Sequence, residues 1–166
     1  MNTHVSVTCR EACREDIPEA LRLYAQPDLD NGSVLSLSEA ERHFERIATY
    51  PDYKIHVAFC EKQIVGTFAL LIMDNLAHMG APSAIIEDVA VDPGWQGRGV
   101  GKQMMKYALQ ICGDKRCYKA VLSSNLKRKK AHAFYESLGF EQHGYSYRVI
   151  FQPNSSPDSS HALMTF

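Results

Sequence analysis

Very little net charge remains in this chain once its signs are summed: 18 Lys and Arg face 19 Asp and Glu, leaving −1 over 166 residues with His neutral. A protein that holds nucleic acid through a broad basic surface needs an excess of cations. That class is excluded, and any anion must be met by a local site. Long apolar runs are missing as well. The longest are strand-sized, short of the roughly 18 residues of a membrane helix. Met1–Ser6 lacks the basic-then-apolar order of a secretory leader, so a cytoplasmic protein without membrane contact is expected. The five cysteines are an odd set without C-x-x-C spacing or a His at metal-ligand distance. Reduced thiols and no metal site are expected. His78, His132 and His143 form neither H-x-x-x-H nor H-E-x-x-H, and solvated or hydrogen-bonded imidazoles are expected there. What is present is ordinary globular material: 45% hydrophobic and 22% charged residues, on a length that fits one domain.

Periodicity gives the order of elements. Val5 to Arg10 alternates like a strand. Asp16-Ile17-Pro18-Glu19 has the cap, early Pro and following Glu of a helix start, with Ile17, Ala20, Leu21, Leu23 and Tyr24 on its apolar face. Pro27 to Ser36 is loop-like, and Ser38-Glu39-Ala40-Glu41 opens a second helix. Ile55 to Cys60 and Ile64 to Met73 are strands joined at Glu61-Lys62-Gln63. Ala84 to Val91 is an apolar strand interrupted by Glu87 and Asp88. A helix follows through Val100, Met104, Ala108 and Ile111, with Gly113 as its stop. Ala120 to Ser123 is a short strand. Ala131, Phe134, Tyr135 and Leu138 mark a last helix, ended by Gly139. Tyr145, Tyr147, Val149 and Phe151 alternate as a final strand. The expected fold is α/β (α+β), one mixed central sheet flanked by helices. Residues 1–152 form the expected domain, and 153–166, rich in Ser, Pro and Asn, a flexible tail.

The most informative segment is Trp95-Gln96-Gly97-Arg98-Gly99-Val100-Gly101-Lys102. It lies between a strand and a helix, where backbone N–H groups and the positive end of the helix dipole converge. Arg98 and Lys102 add local charge, and a pyrophosphate is the natural ligand for such a nest. Two common phosphate patterns fail. Gln96 stands where the first Gly of a P-loop would be, and Gln103 follows Lys102. The third Gly of the dinucleotide pattern falls one residue early, at Gly101.

The segment reads instead Q-x-x-G-x-G. Gln96-x-x-Gly99-x-Gly101, after a strand ending Val89-Ala90-Val91-Asp92-Pro93, resembles the acetyl-CoA motif of the GNAT N-acetyltransferases. Downstream Asn125, Ala131, Phe134-Tyr135 and Leu138-Gly139-Phe140 match that family's second motif. The resemblance implies a V-shaped splay between the fourth and fifth strands, with acetyl-CoA as cosubstrate. Backbone groups of Val89, Ala90 and Val91 would pair with its pantetheine arm. Backbone N–H groups from Gln96 through Gly97, Arg98, Gly99, Val100 and Gly101 to Lys102 would hold its pyrophosphate, and Asn125 would bond the arm. A homodimer is a common state of such a family.

Amine acetylation needs a neutral nucleophile, a stabilised oxyanion and a proton for the leaving thiolate. Glu87 and Asp88 are the candidate bases. Side chains alternate along a regular strand, so one of the two faces the cleft and the residues leave open which. Tyr135 matches the family's general acid, and a backbone N–H near Val89 is the expected oxyanion donor. Arg148 on the last strand is a candidate for an anionic substrate group. Leu122 to Arg128 with Ala131-His132-x-Phe134-Tyr135 looks like the aminoalkylphosphonate N-acetyltransferases. Ile86-Glu87-Asp88-Val89 and Cys117-Tyr118-Lys119 look like the glucosamine-6-phosphate N-acetyltransferases. The expected function is acetyl transfer to a small-molecule primary amine, an amino-phosphonate or amino-sugar phosphate being the implied acceptor. A protein or peptide amine acetyltransferase and a non-catalytic CoA-binding module are the alternatives.

Overall fold

The apolar and alternating runs at the middle of the chain become its longest strands. In the computed structural model, which describes residues 5–149, β1 (Thr8–Glu11), β2 (Tyr53–Cys60), β3 (Gln63–Met73), β4 (Ser83–Val91) and β5 (Lys119–Val121) form one sheet in that order. The first four pair antiparallel, and β5 pairs parallel to β4. Helices α1 (Ile17–Tyr24), α2 (Leu37–Ala48), α3 (Val100–Asp114) and α4 (Lys129–Glu136) flank it. On one face α3 sets Val100, Met104, Met105, Ala108 and Cys112 among Phe68, Leu70, Ala84 and Ile86. On the other, Leu23 of α1 packs with Val57, Ile64 and Ala90. Both layers remove apolar area from water, the main term holding the sheet between its helices.

The parallel pairing is short, and that creates the opening. Only Ser83, Ala84 and Ile85 of β4 meet Lys119, Ala120 and Val121 of β5. Beyond Ile85 the strands part, so among the described residues the edge of β4 from Ile86 to Val91 has no strand partner on that side. The expected splay lies between the fourth and fifth strands.

Several boundaries differ from the sequence expectation, each for a local reason. Val5 and Val7 do not join β1, because the Gln103 side chain of α3 takes their backbone. It accepts from Val7 N–H at 3.1 Å and donates to the Val5 carbonyl at 2.7 Å. Asp16 precedes α1 but makes no cap to it. Its carboxylate accepts from Cys13 N–H at 2.8 Å and pairs bidentately with Arg10 at 2.6 and 3.0 Å. The box on α2 is Ser36 with Glu39, not Ser38. Gly113 does not stop α3. The chain turns over at Arg116 (φ 57°), where Cys117 N–H donates to Cys112 O and Arg116 N–H to Gly113 O, both at 2.9 Å. That is a Schellman cap whose side-chain contact falls on Cys112 and Cys117. All five cysteines are free thiols.

A strand and a helix end are also corrected. β5 runs Lys119–Val121 instead of Ala120–Ser123, and α4 ends at Glu136, before the left-handed Gly139 (φ 90°). The last strand is not formed over residues 145–149, and its Phe151 and the tail 153–166 lie outside the described residues. An alternating stretch needs a neighbouring edge to pair with. Three-residue β5 offers little, and Tyr145 and Tyr147 stay 87% and 89% exposed. Arg148 is likewise exposed and on no strand.

His56 on β2 is 2% exposed, stacked on Phe68 at 4.8 Å, with Nδ1 buried and unpaired. Burial pulls its imidazole below the ordinary value, against weaker opposing pulls from Glu11 and the Lys54 backbone. The unfolded chain therefore binds a proton here more readily than the folded one. Stability is fully present above the ordinary imidazole value and is lost as pH falls below it. Urea unfolding on both sides of that value checks this: His56→Leu flattens the acid-side loss of stability.

Candidate active site

The alternation rule fails where the carboxylates sit. Thr67 pairs with Ala90 and Ala69 with Glu87, so Phe68 alone on β3 faces both Asp88 and Val89 on β4. This is a β-bulge, and Asp88 takes a left-handed φ of 53° within it, a strained value for a non-glycine residue. The expectation that one carboxylate turns away is corrected. By register Glu87 shares a face with Ala69 and Ile55, and Asp88 lines a cavity whose wall includes those same two residues. Both carboxylates serve the α1–α2 side.

Neither is buried in the sense the sequence suggested. Water reaches both side chains, yet protein surrounds them closely enough to hold both carboxyls above the usual range. Burial is the leading cause in each case, reinforced by Asp88 at Glu87 and by Asp30 at Asp88. The cavity beside Asp88 has a volume of about 190 Å³ and lies among α1, α2, β2 and β3. Tyr24, Asp30 and Tyr53 belong to its wall. Burial pushes the Tyr24 phenol up to about 12; Thr67 pulls it down and Asp88 adds to the rise. Sequence reasoning missed all three. Asp30 sits in a polar loop and Tyr24 on an apolar stripe, and nothing local marks either.

The glycine-rich turn opens α3. Gly97 and Gly99 have φ of 73° and 86°, and Gly99 is the helix cap. The helical ladder begins with Gln103 N–H donating to Gly99 O at 3.2 Å, so the preceding N–H groups at the helix start have no intrahelical acceptor. A Cβ at Gly97 would meet nothing within 4 Å, whereas one at Gly101 would lie 3.2 Å from Phe134 Cζ. Gly97 and Gly99 thus shape the turn, while Gly101 lets α3 approach α4. Arg98 stacks over Trp95 with its guanidinium carbon 5.1 Å from the ring centroid. An anchor absent from the sequence reasoning fixes the approach to this turn. Asp92 pairs with Arg22 of α1 at 2.6 Å and accepts from Gly94 N–H at 2.8 Å.

Tyr135 on α4 packs against Phe134 and Phe140, with ring centroids at 5.1 and 5.8 Å. Burial pushes its phenol up, Arg128 pulls it down, and Glu87 pushes it up. The phenol thus lies within electrostatic reach of the β4 carboxylate, across the splay. Asn125 forms the turn before α4: Oδ1 accepts from Lys127 N–H at 2.9 Å, and its carbonyl accepts from Arg128 N–H and bonds His132 Nε2, both at 2.9 Å. His78 stacks on Tyr118 at 3.9 Å. Together the arrangement offers proton acceptors on one side, a neutral donor on the other, and a nest of N–H groups at the far end.

Residues 16–140 match the Acetyltransferase (GNAT) family. A glucosamine 6-phosphate N-acetyltransferase of Trypanosoma brucei brucei is 37% identical over 94 residues, covering 55% of this chain and 62% of that protein. The chain thus spans less than two thirds of that relative's length. An aminoalkylphosphonate N-acetyltransferase of Salmonella typhimurium is 28% identical over 92 residues, 55% of this chain and 59% of the relative. The crystal structure of the Arabidopsis thaliana glucosamine-6-phosphate N-acetyltransferase superposes with a TM-score of 0.77 at 26% identity, over 89% of this chain and 99% of the other.

Proposed function

The chain belongs to the GNAT acetyltransferase family, and we propose that it transfers an acetyl group from acetyl-CoA to the primary amine of a small molecule. The observation that carries this is the splay itself. A free strand edge carries a carboxylate pair with raised proton affinity, the Tyr135 phenol feels the Glu87 charge, and the glycine turn follows the same strand. Acetyl-CoA supplies an acyl thioester. The Ile86–Val91 edge would hold an extended amide-bearing arm as a further strand. The N–H groups from Gln96 to Lys102 fit a pyrophosphate, since Gly97 leaves open space where a side chain would intrude. Asn125 keeps an amide group for the same ligand after its turn is made.

Glu87 or Asp88 takes the proton from the incoming ammonium. Being raised, either carboxylate is a stronger base than an ordinary one. Tyr135, neutral and raised, gives its proton toward the departing sulfur. The Val89 N–H, at the bulge, is the donor for negative charge developing on the acyl oxygen. The small cavity favours a small amine over a peptide, which needs a long open groove.

Thiol release from acetyl-CoA with a panel of small amines and one peptide amine tests this. Small amines should exceed the hydrolytic background and the peptide. The base acts only when ionised, so kcat/KM should fall on the acid side with a pKa above the ordinary carboxylate value, and Glu87→Gln or Asp88→Asn should remove that limb. CoA binding without any amine-dependent release would leave only the binding-module alternative.

A further inference from the structure

The cavity beside Asp88 says which amine. We propose, resting on the acetyltransferase reading above, that the acceptor is a small cationic amine with an apolar body and no phosphate or phosphonate group. Phe44 and Ile47 from α2 and Tyr24 from α1 supply apolar and aromatic surface, and Tyr53 stands on β2. The charged groups are all acidic: Asp16, Asp30 and Asp88, with His43 the only other titratable side chain besides the tyrosines and no Lys or Arg.

The acids are not equivalent. Asp16 is already matched by the bidentate Arg10. Among the described residues, Asp30 and Asp88 enter no ion pair. Two uncompensated carboxylates attract an ammonium and repel a phosphate. A phosphate held in such a space calls for Arg or Lys, whose charge and fork geometry match its oxygens. Three arginines of neighbouring segments are otherwise placed. Arg10 is held by Asp16, Arg14 pairs with Glu41 and Glu45, and Arg128 reaches toward Asp28 at 4.0 Å, outside the cavity wall. Size agrees: about 190 Å³ lies below the roughly 300–1,000 Å³ of pockets for drug-sized ligands. An ammonium beside aromatic rings and carboxylates is a favourable pairing. Asp88, the one of the two on β4, then relieves the amine of its proton beside the splay.

Three amines decide it, each assayed by thiol release from acetyl-CoA: benzylamine, 2-aminoethylphosphonate and glucosamine 6-phosphate. Benzylamine should show kcat/KM at least about tenfold above both phosphorus-bearing amines, whose negative charge meets two carboxylates. Asp30→Asn should raise KM for benzylamine about tenfold while kcat stays within about twofold, because Asp30 attracts the ammonium without touching the reacting atoms. Either phosphorus-bearing amine matching benzylamine, or an unmoved KM in Asp30→Asn, overturns the proposal and leaves the acetyltransferase reading standing. No release with any of the three, or with the wider panel, removes both.

Discussion

Tyr135→Phe should lower kcat between about a hundredfold and ten-thousandfold, the usual range for a positioned general acid, with little change in folding stability. The substitution removes one oxygen and keeps the ring. Packing against Phe134 and Phe140, at 5.1 and 5.8 Å between centroids, is untouched, so the midpoint of urea unfolding should hold. The chemistry is not untouched. A phenol ordinarily sits near 10 and a thiol near 8.5, and burial raises Tyr135 further. Complete transfer to a finished thiolate is therefore uphill by about 2 kcal/mol or more at those values. The phenol therefore hydrogen-bonds the sulfur as charge builds on it, and passes its proton on as the C–S bond pair localises there, with help in lowering its own proton affinity. Arg128 is that help, since it pulls the phenol down where Glu87 pushes it up. Arg128→Ala should accordingly cost part of the same rate. An unchanged kcat in Tyr135→Phe would return the residue to the apolar stripe from which its helix is built.

The contrast between what sequence exposes and what it hides follows the range of the interactions. The turn from Gln96 to Lys102 is legible because its requirements are local: left-handed φ at Gly97 and Gly99 and a helix start directly after. The splay is legible only by resemblance, since it depends on β5 being too short to follow β4 past Ile85. The carboxylates could be picked out by type, as charges in an apolar strand. Their direction could not. The bulge that turns Asp88 is set by register with Thr67 and Ala69, some twenty residues away in the chain. Asp30, Tyr24 and Tyr53 are further still from any local signal, because the cavity exists only after α1 and α2 lie on the sheet. Gly113 and Arg116 make the same point at a helix end. The glycine was available as a stop, but the cap formed where Cys112 and Cys117 meet.

Gly99→Val should weaken CoA binding about tenfold to a hundredfold, read from the fluorescence of Trp95, the single tryptophan, which lies under Arg98 in the same turn. Gly99 holds φ 86° at the cap of α3. A β-branched residue there is a conformational outlier, at a cost of about 1–2 kcal/mol even before its branches are placed. The turn relieves that cost by rotating the peptide, which swings N–H groups away from the nest. A hydrogen bond to a charged group contributes about 1.5–3 kcal/mol, so one lost bond to a pyrophosphate already gives the stated range. Gly101→Ala is the discriminating partner. Its backbone is not left-handed, and its Cβ meets Phe134 Cζ at 3.2 Å. The strain there passes to α4 and hence to Tyr135, so kcat should fall more than CoA binding does. Equal binding losses at the two positions would mean that the turn tolerates no perturbation of any kind. Loss at Gly99 alone, with a rate effect at Gly101, separates a backbone that holds an anion from a glycine that lets two helices meet.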